Sequence, residues 1–249
     1  MKKERHLEFE GGFNIRDLGP IATVDGRKTK IGAAVRSGNL HRLTPAGWEA
    51  LKNYGIRTII DLRNADECES EKYVVANSEI ARIHFPLEEE RQPSDEEFWK
   101  RWRGFNCCPL YYTPFVDQYP VRIADLISII ANAKPGGVLF HCGIGRDRTG
   151  LIALLLLKLM GATHDEILAD YTSSAECLRP HWTRLGRTND EESVTKLLTE
   201  NKSSFADAIR KTIAALDEPA KLEAIGISDS NVSALRLRLL ESPSDFNAS

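Results

Sequence analysis

The chain has 249 residues and a mass of 27.9 kDa, with 42% hydrophobic and 28% charged residues. That length and balance support a sizeable core and exclude wholesale disorder. The 33 basic and 36 acidic residues give a net charge of −3, so no basic excess points to nucleic acid or to an anionic membrane.

Residues 1–12 are charged and carry no apolar stretch of the secretory kind. The longest apolar run, Leu151 to Leu157, is too short for a bilayer, which takes about 20 residues. A cytoplasmic protein without membrane insertion is expected. The five cysteines are odd in number and scattered, which argues against a disulfide framework.

Ile21 to Val24 and Ile31 to Val35 flank the turn signal Asp25-Gly26, which predicts a short hairpin over residues 20–36. Thr44-Pro45 opens a helix, with Thr44 as N-cap and Pro45 in the first turn. Leu43, Trp48 and Leu51 form its apolar face, and Gly55 ends it. Ile56 to Asp61 is a β-branched run that reads as a strand, and Ile80 to Phe85 reads as another. Ser94-x-x-Glu97 has the capping-box pattern and opens a helix carrying Trp99 and Trp102. Ile123, Leu126, Ile127 and Ile130 have helical spacing, so residues 120–132 form an amphipathic helix, broken at Pro135-Gly136-Gly137. Val138 to Phe140 is a buried strand. Thr149 to Met160 is apolar almost all round, the mark of a central helix, and Thr163-x-x-Glu166 caps the next.

Strands alternating with helices predict an α/β fold whose central sheet is mostly parallel and flanked by helices. Residues 190–241 read as a helical C-terminal extension, with stripes at Phe205, Ile209, Ile213, Leu216 and at Val232, Leu235, Leu239. The expected organisation is a single domain over residues 1–249. Within it lie a core over 8–184, an extension over 185–241 packed on that core, and a frayed tail over 242–249. A linker at Leu185 to Glu191 is the alternative.

One segment carries chemistry: His141-Cys142-Gly143-Ile144-Gly145-Arg146-Asp147-Arg148-Thr149-Gly150, between the buried strand and the central helix. A glycine-rich strand-to-helix turn aims backbone N–H groups at one point, and the helix N-terminus adds positive charge. Gly143, Ile144, Gly145, Arg146, Asp147 and Arg148 would thus form an anion nest, with the Arg148 guanidinium forking onto phosphate oxygens. Cys142 lies at its base, where the same groups favour a thiolate. Displacement at phosphorus would give a cysteinyl-phosphate that water hydrolyses. Thr149 can donate its hydroxyl to the sulfur in the second step. The Walker nucleotide loop is excluded, since no Gly-Lys-Ser/Thr occurs.

His-Cys, five residues, Arg-Thr-Gly is the signature of the cysteine-dependent protein tyrosine phosphatase superfamily. Asn14-Ile15-Arg16-Asp17-Leu18-Gly19, Arg36-Ser37-Gly38, Ile59-Ile60-Asp61-Leu62-Arg63 and Ile167-Leu168-Ala169-Asp170-Tyr171 extend the likeness. Over about residues 8–241 the chain resembles the bacterial-type tyrosine/dual-specificity phosphatases. That family has Phe where Ile15 stands and commonly Lys where Arg146 stands. The resemblance implies a phosphatase-like fold and a tyrosine-protein phosphatase needing neither metal nor cofactor. Its substrate would be a phosphotyrosine protein, with dual-specificity or phosphoinositide activity as the alternative. Scaffold roles follow for Arg16, Asp17 and Arg36. A phosphate-binding module without turnover and a sulfurtransferase are the competing classes.

Several roles stay open. Asp61 ends a parallel strand, as Cys142 does, and is either the proton donor or half of a structural pair with Arg63. Asp147 either tethers Arg146 or acts as the acid; Asp95 and Asp117 are weaker candidates. Arg146 either meets an additional substrate phosphate or stiffens the loop against Asp147 or Asp61. His141 orients the cysteine rather than moving protons. Trp99 to Arg103 is a lid or a half-buried surface helix. Cys68, Cys107 and Cys108 are candidates to resolve an oxidised Cys142.

Overall fold

The β-branched and apolar runs line up as the core of one sheet. The computed structural model describes residues 5–75, 78–89, 93–105, 108–187 and 191–242. The strands are β1 (Arg16–Asp17), β2 (Ala34–Ser37), β3 (Ile56–Asp61), β4 (Ala81–His84) and β5 (Gly137–His141), in the order β1-β2-β5-β3-β4. Every pairing is parallel except the short antiparallel edge β1–β2.

The expected hairpin over residues 20–36 is corrected. Asp25-Gly26 does make a turn, and an Ala22–Lys28 bridge with the Thr23 N–H to Arg27 O and Thr29 N–H to Ile21 O bonds pairs across it, so the hairpin is tight and ends at Thr29. Ile31 to Val35 is not its second arm: β2 lies between β1, from the Arg16-Asp17 segment, and β5.

The first three helices are α1 (Pro45–Asn53), α2 (Ala65–Ser70) and α3 (Pro93–Trp102). Then come α4 (Tyr112–Gln118), α5 (Pro120–Ala131), α6 (Arg148–Leu159) and α7 (His164–Arg184). The last are α8 (Glu191–Glu200), α9 (Phe205–Asp217), α10 (Pro219–Ile225) and α11 (Asp229–Leu239). Thr44 caps α1 by accepting the Gly47 N–H, and Gly55 follows the helix at φ +98°. Thr163 caps α7 by accepting the Glu166 N–H.

Side chains alternate across the sheet, as the strand period of two requires. Val35, Ile59 and Leu139 face one layer with Phe9, Leu43 and Leu51. Ala34, Ile60, Val138 and Phe140 face the other, with α5 and α6. In α6 every residue from Thr149 to Leu157 is buried. The extension joins this second layer through Ile209, Ile213, Leu216, Ile225, Leu235 and Leu239. Backbone bonds from Lys30 N–H to Leu239 O and from Glu241 N–H to Lys28 O stitch its end to the edge of the sheet. Helix α3 fits the surface reading, with Trp99 buried and Lys100 and Arg101 exposed. The Ser94 side chain, residues 188–190 of the alternative linker, Cys107 and the tail beyond 242 lie outside the described residues. Among the described residues no helix is long and apolar enough to cross a membrane.

Candidate active site

The carboxyl ends of the parallel strands come together: Ser37 pairs with His141, and Asp61 with both His141 and His84. The chain leaves β5 at His141 and turns into α6 at Arg148. In that turn the carbonyls are held by the scaffold. His141 Nδ1 faces Cys142 O at 3.2 Å. Asn39 N–H donates to Gly143 O at 2.9 Å. Asn14 Nδ2 donates to Ile144 O at 2.8 Å, Arg36 Nη2 to Gly145 O at 2.8 Å, and Tyr112 O–H to Asp147 O at 2.7 Å. A planar trans peptide points its N–H opposite its carbonyl. Pinning the oxygens outward therefore turns the N–H groups of Gly143, Ile144, Gly145, Arg146 and Arg148 to the other side. No side chain caps α6, so its first-turn N–H groups remain available to an anion.

Gly145 is required by this path. Its φ is +73°, and a Cβ there would lie 2.4 Å from Ser37 O. Gly143 is different: a Cβ would sit 3.6 Å from Glu67 Oε1 and 3.9 Å from Arg148 Nη2, ordinary contact distances. Of the two glycines, only Gly145 is needed for the backbone to curl.

Beneath the loop lies a buried ion cluster. Asp170 meets Arg36 in a close ion pair, Arg5 at 3.2 Å and Arg16 at 3.8 Å. Arg16 also bonds Asn14, the residue that holds Ile144 O. The charged arginines hold the Asp170 carboxyl below its usual range against the opposing effect of burial. Three arginines thus converge on the one Asp170 carboxylate behind the nest.

Cys142 is buried at the base of the loop, within electrostatic reach of Arg148. Thr149 Oγ1 is buried without a hydrogen-bond partner among the described residues. The Arg148 guanidinium is held end-on by Glu67, Nη1 to Oε2 at 2.5 Å and Nη2 to Oε1 at 2.6 Å. Its Nε lies 3.5 Å from Glu88 Oε2.

This loop, with its cysteine, its outward carbonyls and its arginine, has the architecture of a family. The tyrosine phosphatase family model matches residues 7–241. The chain belongs to that family. The phosphatase is 30% identical over 223 residues to a protein of Cupriavidus necator carrying a provisional tyrosine-protein phosphatase name, covering 85% of this chain and 80% of the relative. It is 27% identical over 233 residues to the triple specificity protein phosphatase PtpB of Mycobacterium tuberculosis, covering 81% and 82%. It is 24% identical over 139 residues to the inositol diphosphatase DSP2 of Arabidopsis thaliana, covering 51% and 54%.

The other sequence candidates fall into place around the phosphatase loop. Asp61 is fully buried and bonded by Arg63 at 2.9 and 2.8 Å and by Arg82 at 2.8 Å. Although burial opposes it, the two arginines hold its carboxyl below the usual range. These bonds fit the structural pair with Arg63, the alternative to the proton-donor reading of Asp61. His141 Nδ1 faces a carbonyl and so carries the proton, leaving Nε2 to accept from Tyr73 O–H at 2.7 Å. Burial lowers the His141 pKa to about 4.

Asp147 bonds Arg146 Nε at 3.2 Å, and burial raises its carboxyl above the ordinary value despite Arg146 and Arg148. Arg146 does not project from the tip of the nest. It is 3% exposed, paired with Asp147 and placed 5.8 Å from the centre of the Phe205 ring. The stiffening role fits that position. Asp95 is buried at the start of α3, and Asp117 is exposed and paired with Lys221. Cys68 lies 3.4 Å from His84 Nε2, and Cys108 is buried with Val194, Leu198 and Ala208.

Glu67 and Glu88 were missed by sequence reasoning. Two signals could have found them. Asn64-x-x-Glu67 is a capping-box pattern, and Glu88 follows the carboxyl end of β4, beside the ends already singled out. Among the described residues no group of three or more His, Cys, Asp or Glu is placed to hold a metal ion.

Proposed function

We propose that this phosphatase hydrolyses phosphotyrosine in proteins through a cysteinyl-phosphate on Cys142. The carbonyl-pinned loop carries this reading, since it presents N–H groups and Arg148 around the one buried thiol at its base. The phosphoryl oxygens bind the N–H groups of Gly143 to Arg148 and the Arg148 guanidinium. Cys142 Sγ attacks phosphorus in line, and the S–P bond forms as the ester P–O bond breaks. Asp147, whose carboxyl burial pushes above the ordinary value against the pull of Arg146 and Arg148, gives its proton to the leaving oxygen. Its carboxylate then takes a proton from the water that attacks the intermediate. Thr149 Oγ1 donates to the departing sulfur.

Burial of Arg146 removes the cation that would favour a multiply phosphorylated headgroup, so it supports the tyrosine reading over the phosphoinositide one. The names of the relatives keep dual-specificity and inositol substrates as the alternative. The core and its helical extension act as one unit, in the cytoplasm, with no metal or cofactor.

The test is turnover of a phosphotyrosine peptide. Cys142→Ser should abolish it while phosphate-ester binding survives, and Arg148→Ala should harm both. Wild-type hydrolysis by Cys142→Ser would refute the mechanism. Parallel assays on phosphoserine peptides and phosphoinositides rank the alternatives.

A further inference from the structure

Glu88 is a buried carboxyl that the proposed reaction leaves without a task. It follows β4 and is 8% exposed. Its Oε1 accepts the Tyr111 O–H at 2.6 Å. Its Oε2 faces Arg148 Nε at 3.5 Å. Glu67 already occupies the terminal edge of that guanidinium, Nη1 and Nη2 together. The edge left for a phosphate is the one at Nε, and Glu88 Oε2 stands at it.

A phosphate dianion and an ionised carboxylate would then compete for one edge in a site shielded from water. Two anions in such a place do not both stay charged. We propose that Glu88 is a phosphate-binding residue in its neutral form: it takes up a proton from solvent as the dianion enters and donates that O–H to a phosphoryl oxygen. This rests on the reading of the loop as the phosphate site.

The charged and titratable groups facing Glu88 are Arg148, Tyr111, Asp147 and Glu67. Arg122 anchors the segment on both sides through the carbonyls of Leu87 and Glu89. Burial raises the Glu88 carboxyl above its ordinary range, opposed first by Arg148 and then by the Tyr111 hydrogen bond, with Asp147 and Glu67 adding to the rise. A bound dianion neutralises Arg148, which is the main opposition. The proton then follows by linkage.

Sulfate is the probe, because it stays a dianion across the neutral range. The Cys142→Ser protein removes the thiol's own titration. Calorimetry in two buffers of different ionisation enthalpy counts the protons taken up. We expect uptake of a proton, and sulfate affinity that rises about tenfold per pH unit as pH falls towards the Glu88 titration. Adding Glu88→Gln, which keeps the acceptor for Tyr111, should abolish the uptake and flatten the pH dependence. Adding Asp147→Asn should leave both in place. Adding Tyr111→Phe removes a bond that favours the charged form, so the midpoint should move to higher pH.

Unchanged uptake in Glu88→Gln, or an unmoved midpoint in Tyr111→Phe, overturns the assignment while the phosphate site stands. Failure of sulfate to bind the Cys142→Ser protein overturns the phosphate site and the assignment together.

Discussion

Glu67 meets Arg148 end-on, with both carboxylate oxygens on the two terminal nitrogens at 2.5 and 2.6 Å. Glu67 is itself fixed, because its Oε2 also accepts the Asn64 N–H at 2.9 Å. A planar fork held this way is aimed before substrate arrives. Hydrogen bonds to charged groups contribute about 1.5–3 kcal/mol. Glu67→Gln should therefore lower kcat/KM roughly tenfold to a hundredfold. Steady-state kinetics on an aryl phosphate measures it, and unchanged kinetics would show that Arg148 needs no such support.

Asp61→Asn tests the ion pairs of Asp61 with Arg63 and Arg82. Removing one partner of such a buried pair costs about 3–5 kcal/mol, because Arg63 is left buried without its counter-charge. The loss should appear in denaturant unfolding, with no extra sensitivity to leaving group. The sign of the pH dependence follows from the lowered carboxyl. Its contribution is fully present above the ordinary 3.8 and is lost as pH falls below that towards the depressed folded value. A leaving-group-dependent rate loss in Asp61→Asn would restore the proton-donor reading.

Asp147→Asn tests the proton donor. Loss of a general acid costs about 10²–10⁴ in rate. The cost should fall on aryl phosphates with poor leaving groups and spare those with good ones. The acid works only when protonated, so wild-type activity on poor leaving groups should fall as pH rises through the raised Asp147 value. That limb should vanish in the variant. An equal rate loss across the leaving-group series would mean that Asp147 only tethers Arg146.

Gly145→Ala and Gly143→Ala should part company. At Gly145 the left-handed backbone and the Ser37 carbonyl at 2.4 Å leave no room for a methyl group. Backbone strain of this kind costs about 1–3 kcal/mol. We expect a lower Tm and a large fall in kcat/KM. At Gly143 a methyl meets only ordinary contacts, and Tm should hardly move. A thermal melt of both variants gives the comparison.

The strands, the capped helices and the loop from His141 to Gly150 were legible because each is a local pattern. Thr44, Thr163 and the β-branched run at Ile56 act within a few residues of themselves. The grip on the loop was not legible as geometry, since Asn14, Arg36 and Tyr112 reach it from distant parts of the chain. Glu67 and Glu88 look in sequence like members of ordinary acidic stretches, and only the folded chain brings both to Arg148. The second arm of the hairpin was misplaced for a similar reason. Asp25-Gly26 makes its turn, but β2 finds its edge partner in β1, further back in the chain. The burial of Arg146 was not legible because spacing does not reveal that the α7–α9 side closes over it, with Tyr171, Ser174 and Phe205 around it.

That last enclosure ties the chemistry to the far end of the chain. The ring of Phe205, the first residue of α9, lies over the guanidinium that holds Asp147. A protein cut short before α9 would lose more than a surface layer. Water would reach the Arg146–Asp147 pair, and the dry surroundings that push the Asp147 carboxyl upward would go with the ring. Such a shortened enzyme would still possess every residue of the signature from His141 to Gly150, yet its Asp147 carboxyl would ionise at lower pH.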